Sequence, residues 1–502
     1  MTGSTDRPIR GAVRHTLIYG VGNASVAILG LILVPIYTHH LAPAEYGLLA
    51  LVLALYGFLG RIYDLGMTNA VARVYFDVRS KDQGVSQEVK EMATTSVAFL
   101  AVYALVLSGL LWSMAGPLAR LMGTGESGPA LIRIIAFTLL TDAAAIVPLT
   151  LIRMQERTAY FVAATSLRFM AALILNIWFV VYLGWGVGGI LLGGALTSGA
   201  LLLFMAPEIR SWLTPRLSKT LLRELLSFGL PFLPVPLCIW AIDYSDRYIL
   251  ERGASIEEVG WYSLGHKLAQ VVQLAVTAFS MGWAPLRYQV YEREDAREIY
   301  RTLTTYFMVV CGTMVVGLGL FSRQIVALVA PEEYSVAAGV VAPLGTAYLL
   351  YGLFVLMVTG MGVTKRTGPM AVIAVTGAVV NIGLNLLLIP RFGMYAAAGT
   401  TVLANGVLVW GSWYFSQKVY PIPYDWRAMA KLGGLMAGFF ALDWLLFLET
   451  LGLQGLVGAA GLFTLFLVLL RVVELVTASD LQRAMEWGRA MTSRAGSGTV
   501  DP

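Results

Sequence analysis

The stretch 223-RELLSFGLPFLPVPLCIWAIDYSDRYILERGASIEEVGWY-262 decides the fold of this 502-residue chain. It begins at a charged edge and continues into a long apolar run that contains three prolines between positions 231 and 236. Asp243 and Asp246 follow with almost no other polar residues around them. A carboxylate at membrane depth is costly and faces a cavity or a partner. The stretch therefore predicts a spanning helix with functional acidic residues, bent by its prolines into a fixed kink rather than a moving hinge.

The composition predicts a membrane protein. Hydrophobic residues make up 58% of the chain and charged residues only 13%, against roughly 25% charged residues in a soluble domain. The net charge of +5 does not indicate nucleic-acid binding, because the basic residues lie in loops that flank apolar segments. The only two cysteines, Cys238 and Cys311, lie inside apolar runs and predict no disulfide.

Motifs typical of enzymes are missing from the sequence. It contains no GxxxxGK[ST] motif, so ATP is not expected to act on this chain directly. The four histidines are scattered without metal-ligand spacing. We therefore expect a protein that is not an enzyme and that carries no cofactor or bound metal, apart from a coupling ion such as Na⁺ or H⁺.

Apolar runs predict fourteen spanning helices, each close to the roughly 20 residues that a bilayer requires. Loop charge supports this count: with a cytoplasmic N-terminus, 25 basic residues fall in inner loops and 5 in outer loops, and Arg247 is counted among the outer ones. This asymmetry predicts that both termini are cytoplasmic. The segments are 16–39, 46–69, 93–115, 129–151, 159–183, 187–206, 224–246, 259–285, 303–322, 337–361, 368–390, 394–416, 428–448 and 453–476.

An internal repeat divides the chain into two halves. At an offset of 209 residues, Arg157-Thr158 matches Arg366-Thr367 and Leu175-Asn176 matches Leu384-Asn385. Tyr46-Gly47 matches Val259-Gly260 at an offset of 213. Six helices in each copy give both copies the same orientation, which is a parallel repeat typical of transporters that bind substrate between two lobes. The predicted domains are an N-lobe (1–207), a cytoplasmic linker (208–223), a C-lobe (224–418), two extra helices (419–480) and a cytoplasmic tail (481–502).

Several stretches together resemble one transporter family. They are LVPIYTHHLAPAEYGLLAL at 33–51, the segment from Ser227 to Leu268, GMGVTKRTGPM at 360–370 and NIGLNLLLIPRFGMYAAAGT at 381–400. Their order and spacing resemble the Wzx-type polysaccharide (oligosaccharide) flippases, whose superfamily includes the MATE exporters and the lipid II flippases. The resemblance implies an undecaprenyl-pyrophosphate-linked oligosaccharide as substrate and partner, flipped across the bacterial inner membrane. It also implies surface polysaccharide biosynthesis (O-antigen or another exopolysaccharide), with a polymerase and a chain-length regulator as further partners.

Basic residues inside the segments are candidates for binding the pyrophosphate. Arg61 lies in the inner half of the second segment, Arg168 near the middle of the fifth, and Lys267 in the outer part of the eighth. Arginine and lysine that face a cavity are the residues that recognise phosphate. The alternative for Arg61 is a structural salt bridge with Asp64, three residues further along the helix.

Acidic and amide residues in the outer half of the membrane predict an ion-coupling site. Asp243 and Asp246 lie at the same predicted depth as Asn381, Asn385 and Thr401, and oxygen ligands suit a hard cation. The set resembles the sodium site of some lipid II flippases, with Asp246 as the better match and Asn385 in place of a carboxylate. Proton coupling through either aspartate and a purely structural role for Asn385 stay open.

Two other functions compete with the flippase. A cation-coupled exporter of small organic cations would require an acidic cavity, and the buried charges here have both signs. A membrane-embedded glycosyltransferase or polymerase would require catalytic carboxylates in a large outer loop, whereas the predicted outer loops are short. A lipid II-type flippase is a less favoured variant of the leading prediction.

Overall fold

The computed structural model describes residues 30–78, 86–447 and 452–475. Across these ranges every regular element is helical and no strand occurs. Within these described ranges, eleven helical stretches are long and apolar enough to cross a membrane. The prediction of an all-α, multi-pass membrane protein is therefore confirmed. The count of fourteen stays a prediction, and most of the first predicted segment and the tail 481–502 lie outside the described residues.

Several predicted segments coincide with single helices, and others consist of two pieces. Segments 129–151 and 187–206 fall inside longer helices, whereas segments 46–69 and 224–246 are each divided in two. The helices are α1 (30–40), α2 (Pro43–Asp64), α3 (Met67–Val78), α4 (Gln87–Ser113), α5 (Ala115–Leu121), α6 (Gly128–Met154), α7 (Thr158–Ile177), α8 (Gly186–Trp212), α9 (Lys219–Gly229), α10 (Pro234–Gly253), α11 (Ile256–Gln289), α12 (Ala296–Leu320), α13 (Ser322–Val329), α14 (Ala338–Met357), α15 (Thr359–Val363), α16 (Pro369–Val419), α17 (Trp426–Phe447) and α18 (Leu453–Val472).

The long helix α16 is a hairpin of two antiparallel arms. Gly393 has φ 56° and ψ −139°, which is not helical and which only glycine adopts without strain. The arms pack together, because a Cβ on Gly377 would lie 2.7 Å from the side chain of Leu408 and one on Gly411 would lie 3.2 Å from that of Ile373. The predicted turn between segments 368–390 and 394–416 therefore lies where the sequence analysis placed it.

The proline-rich stretch interrupts the helix as predicted. A single turn of 3₁₀ helix, Leu230–Phe232, separates α9 from α10, and Pro234 is the first residue of α10. Proline fits this position because it has no N–H to leave unpaired. The short α9 packs against α3 and α4 of the first half, with Leu225 fully buried. The predicted C-lobe boundary at residue 224 therefore cuts through a helix that lies against the N-terminal half.

The helices form two groups that correspond to the two halves of the repeat. Helices α4, α6, α7 and α8 pack together in the first half, and α10, α11, α14 and α16 pack together in the second. Helices α17 and α18, which have no counterpart in the repeat, pack against α12. In this packing, α1 and α2 face α10 and α11. The exact boundaries of the two lobes stay predictions.

The two halves touch at both ends of this interface. On the predicted outer side, a Cβ on Gly47 of α2 would lie 2.1 Å from the carbonyl oxygen of Ile256, and one on Gly260 of α11 would lie 2.0 Å from that of Pro43. Gly47 and Gly260 are the residues that the repeat pairs, so the contact is symmetric. On the predicted cytoplasmic side, a Cβ on Gly66 would lie 2.2 Å from the carbonyl oxygen of Gly229. Only glycine permits such close backbone approach.

Candidate substrate cavity between the two halves

A cavity of about 420 Å³ lies between the two glycine contacts. Its walls come from α1, α2, α10 and α11, which are the helices that face each other across the repeat. Three cationic side chains line it: Arg61 of α2, Arg247 of α10 and Lys267 of α11. Among the described residues, no aspartate or glutamate lines this cavity. The cavity therefore suits an anionic group better than a cationic one.

Arg61 faces the cavity and forms no ion pair with an acidic residue of the described ranges. Its Nη1 donates to the carbonyl oxygen of Gly57 at 2.6 Å. Asp64 instead accepts hydrogen bonds from the backbone N–H and the hydroxyl of Thr68, at 3.1 and 2.7 Å. The predicted alternative of a salt bridge between Arg61 and Asp64 is wrong: across the chain that the structure describes, no ion pair joins them. Most donors of the Arg61 guanidinium therefore stay available to a ligand.

Lys267 lies on the opposite wall, on α11. Its Nζ lies 3.6 Å from where a Cβ on Gly30 would stand, so the side chain reaches across the cavity to α1. The neighbouring His266 is buried and shares a hydrogen bond of 2.9 Å with the hydroxyl of Tyr348. Within the described part of the chain, no carboxylate lies within ion-pair distance of the Lys267 ammonium. Arg61 and Lys267 therefore present two positive charges from opposite halves, and neither forms an ion pair among the described residues.

Arg247 was placed in an outer loop by the sequence analysis, and this placement is wrong. It lies inside α10, is 3% exposed, and lines the cavity. Its Nη1 lies 3.1 Å from Oδ1 of Asp246 and donates to the carbonyl oxygen of Asp243 at 2.7 Å. The guanidinium also lies over the ring of Tyr244, 4.6 Å from its centroid. Helix α11 begins after Ser255, whose hydroxyl accepts a hydrogen bond from the N–H of Glu258. This capping pattern can be recognised in a sequence, and it places the end of α10 beyond Arg247.

Both oxygens of Asp246 have partners in this structure. Oδ1 faces Arg247, and Oδ2 accepts a hydrogen bond from the hydroxyl of the fully buried Tyr262. Asp243 lies one turn earlier on the same helix and contacts Arg247 through its carbonyl oxygen. In the described ranges, no group of three or more His, Cys, Asp or Glu residues is arranged to hold a metal ion. A guanidinium thus stands beside the carboxylate to which the sequence analysis assigned a cation.

The predicted partners of Asp246 on α16 form a buried network, which Ser245 of α10 joins by donating to the side-chain oxygen of Asn381 at 3.5 Å. Asn385 donates to the side-chain oxygen of Asn381 at 3.1 Å and accepts from the hydroxyl of Thr400, so it joins the two arms of the hairpin. The hydroxyl of Thr401 bonds to its own helix, at the carbonyl oxygen of Ala397, 2.9 Å away. Asn385 therefore bridges helices, as the structural alternative predicted. Thr400 rather than Thr401 contacts the asparagine pair.

Arg168 lies in the first half and does not line the central cavity. Its Nη2 donates to Oδ1 of Asp142 at 2.7 Å and to the hydroxyl of Ser198 at 2.6 Å. The other carboxylate oxygen of Asp142 accepts from Tyr56, which does line the cavity. The network thus ties α2 to α6, α7 and α8. The structure gives Arg168 a carboxylate partner where the sequence analysis expected a phosphate.

Two further spaces adjoin the cavity. A smaller one of about 260 Å³ shares Tyr56, Gly57 and Arg61 with it and extends toward Asp64 and Asn69 at the predicted cytoplasmic end. An apolar crevice of about 600 Å³ lies on the other side, between α2, α5, α10 and α16. The central cavity is thus connected to a polar space at one end and bordered laterally by an apolar one.

Comparison with known proteins assigns the chain to a family. The family described as polysaccharide biosynthesis protein matches residues 12–289, more than half of the chain. The chain belongs to this family. A relative is the succinoglycan biosynthesis transport protein ExoT of Rhizobium meliloti (strain 1021), which is 25% identical over an alignment of 372 residues that covers 70% of each protein. Proteins of this polysaccharide biosynthesis family and their structural neighbours are transporters and flippases, not enzymes, as the sequence predicted.

Solved structures of the same fold come from two groups of transporters. The lipid II flippase MurJ, in an inward closed conformation, aligns with a TM-score of 0.73 and 12% identity over 91% of this chain and 99% of that one. An inward-facing MATE family multidrug transporter aligns with a TM-score of 0.66 and 15% identity over 83% and 99%. At these identities the likeness concerns the fold alone.

The buried pair Asp246–Arg247 gives a prediction about the stability of this family member. Asp246→Asn leaves the Arg247 guanidinium buried without its ionic partner, which is expected to lower the free energy of unfolding by about 3–5 kcal/mol. The measurement is thermal unfolding of the purified protein in detergent. The control is Asp295→Asn, because the Arg293–Asp295 pair is 60% and 54% exposed and a solvent-exposed ion pair is expected to contribute little to stability. Equal shifts in the two variants would contradict this account of Asp246.

Proposed function

We propose that this protein flips an undecaprenyl-pyrophosphate-linked oligosaccharide across the bacterial cytoplasmic membrane for surface polysaccharide biosynthesis. The observation that carries the proposal is the charge of the central cavity: Arg61, Arg247 and Lys267 line it, and no described carboxylate does. A pyrophosphate has several oxygens that bind guanidinium and ammonium groups through charge-assisted hydrogen bonds. The position of the cavity between repeat-related helices supports alternating access of the two lobes.

The comparisons support the same substrate class. The ExoT relative carries the name of a transport protein of succinoglycan biosynthesis, and the MurJ neighbour is named a lipid II flippase. One name concerns transport in succinoglycan biosynthesis, and the other concerns the flipping of lipid II. We extend this to the present chain, with both termini in the cytoplasm and with a polymerase and a chain-length regulator as proposed partners.

The roles that we propose for the basic residues follow from their partners. Arg61 and Lys267 bind the pyrophosphate from opposite lobes, since neither has an acidic partner among the described residues. Arg247 lines the same cavity, but its charge is compensated by Asp246 as long as the two remain paired. For Arg168 we replace the predicted phosphate contact with a structural role, because Asp142 and Ser198 occupy its guanidinium.

Ion coupling is a further part of the proposal. Asp246 is the coupling residue that we favour, with Asp243 beside it, because a proton or sodium ion at this carboxylate would compete with Arg247 and change the charge of the cavity wall. Transport by proteoliposomes under an imposed sodium gradient or an imposed pH gradient separates the two ions. Transport that is independent of both gradients would remove the coupling role from Asp246.

Export of small organic cations is the competing function. It is considered because the fold also resembles that of a MATE family multidrug transporter. A cavity lined by three cationic side chains repels such substrates. The experiment is deletion of the gene in its host. We expect loss of a surface polysaccharide and accumulation of its lipid-linked precursor on the cytoplasmic side. Unchanged polysaccharide together with increased sensitivity to cationic drugs would favour the exporter instead.

A further inference from the structure

Trp240 of α10 lies where the central cavity and the apolar crevice meet. It is 8% exposed, and its side chain lines both spaces. The crevice is otherwise lined by apolar side chains such as Leu55, Phe58 and Leu386, and its charged residues lie together at the C-terminal end of α10. Trp240 therefore stands on the border between an apolar compartment and a cationic one.

The indole N–H of Trp240 has no hydrogen-bond partner in the part of the chain that the structure describes. The ring is held in place by Tyr244, 6.0 Å away at an interplanar angle of 14°, and by Phe58, whose centroid lies 4.8 Å away. A buried donor without an acceptor is destabilising. A rigid, unpaired donor in a cavity wall is therefore a candidate contact for a ligand atom that accepts a hydrogen bond.

A second donor approaches the same point from the other half of the protein. A Cβ on Gly57 of α2 would lie 3.4 Å from Nε1 of Trp240 and 3.8 Å from Nη1 of Arg61. Indole and guanidinium groups donate hydrogen bonds and accept none. Because Gly57 has no side chain, a small space remains there. Two donors from opposite lobes, those of Trp240 and Arg61, lie beside this space. The atom that fits there is an acceptor, and the guanidinium favours a negatively charged one.

We propose that Trp240 is a substrate-binding residue whose indole N–H donates to an oxygen of the lipid-linked phosphate, next to Arg61. In a polyprenyl pyrophosphate the molecule is apolar up to its first phosphate, so this phosphate belongs on the border between the apolar crevice and the cationic cavity. Trp240 occupies that border. The inference rests on the proposed function and extends it, because it assigns the phosphate nearest the lipid chain to a residue that carries no charge.

The test uses Trp240→Phe, which removes the N–H and keeps an aromatic ring between Tyr244 and Phe58. The matched control is Trp413→Phe, because the indole nitrogen of Trp413 is also buried and unpaired but lies beside Trp426, outside the cavity. The probe is undecaprenyl pyrophosphate without the oligosaccharide, and the measurement is its affinity for the full-length protein in detergent. Loss of one hydrogen bond to a charged group is expected to weaken binding about tenfold in Trp240→Phe and to leave Trp413→Phe unchanged.

A second variant tests the space beside the indole. Gly57→Ala places a methyl group at ordinary contact distance from Trp240, so the protein is expected to fold, yet the methyl excludes the phosphate oxygen and weakens binding. Wild-type affinity in both Trp240→Phe and Gly57→Ala would overturn the inference while leaving the proposed function intact. Weaker binding only of the lipid that carries the oligosaccharide would assign the N–H to a sugar hydroxyl and overturn it as well. A wild-type protein that does not bind the probe would overturn the proposed function itself.

Discussion

Arg61→Ala and Lys267→Ala are each expected to reduce transport of the lipid-linked oligosaccharide roughly a hundredfold, the effect of losing about 3 kcal/mol of charge-assisted binding. Both side chains line the central cavity, and neither has a carboxylate partner among the described residues. Their removal therefore breaks no ion pair among the described residues, and the protein is expected to insert and fold normally. The measurement is translocation of the substrate by proteoliposomes that contain each variant.

Conservative substitutions separate charge from geometry. Arg61→Lys keeps the positive charge but loses the planar fork of donors, so we expect partial activity between that of the wild type and that of Arg61→Ala. Arg293→Ala serves as the control, because this arginine is exposed in the loop between α11 and α12. Full activity of both Arg61→Ala and Lys267→Ala would remove these residues from the binding site.

Gly47→Ala is expected to prevent the two lobes from closing on the predicted outer side. The new Cβ would lie 2.1 Å from the carbonyl oxygen of Ile256, a backbone atom that cannot turn aside. Gly260→Ala is expected to have the same effect, because its Cβ would lie 2.0 Å from the carbonyl oxygen of Pro43. Helices α2 and α11 must then separate, which shifts the protein toward a state open at this end and stops the transport cycle.

The measurement of lobe closure is the labelling of a cysteine at Ser263, in the central cavity, by a membrane-impermeant maleimide added from outside. The native Cys238 and Cys311 are first replaced by alanine. Labelling is expected to be slow with glycine at position 47 and fast in Gly47→Ala. Gly109→Ala is the control, because its Cβ would meet no atom within 4 Å. Slow labelling of a correctly inserted Gly47→Ala would show that the glycine contact does not control access.

The helices could largely be predicted because spanning segments need a fixed length of apolar sequence. The seventh segment was an exception, since its prediction ended at Asp246 whereas α10 continues to Gly253. The charged residues Arg247, Glu251 and Arg252 give this part of the sequence the composition of a loop. Arg247 nevertheless remains inside the helix, because the Asp246 carboxylate and the ring of Tyr244 compensate for its burial.

The site could be predicted only in part, because depth along a helix does not determine which way a side chain points. Arg61 and Arg168 both lie within spanning segments, but only packing places Arg61 in the cavity and turns Arg168 toward Asp142. Trp240 was not predicted, because an unpaired indole in an apolar segment cannot be distinguished from an ordinary apolar residue. The repeat, in contrast, predicted a site between two lobes, and the cavity lies between helices that come from the two halves of the repeat.

The most direct test of the central claim is translocation by the purified protein in liposomes. An undecaprenyl-pyrophosphate-linked oligosaccharide carries a fluorescent label that a membrane-impermeant reductant quenches only in the outer leaflet. We predict that wild-type protein makes nearly all of the label accessible, and that the double variant Arg61→Ala, Lys267→Ala leaves the inner-leaflet label protected, as in protein-free liposomes. The account would be contradicted if the inner-leaflet label stayed protected in the presence of wild-type protein while the same protein exported an organic cation from these liposomes.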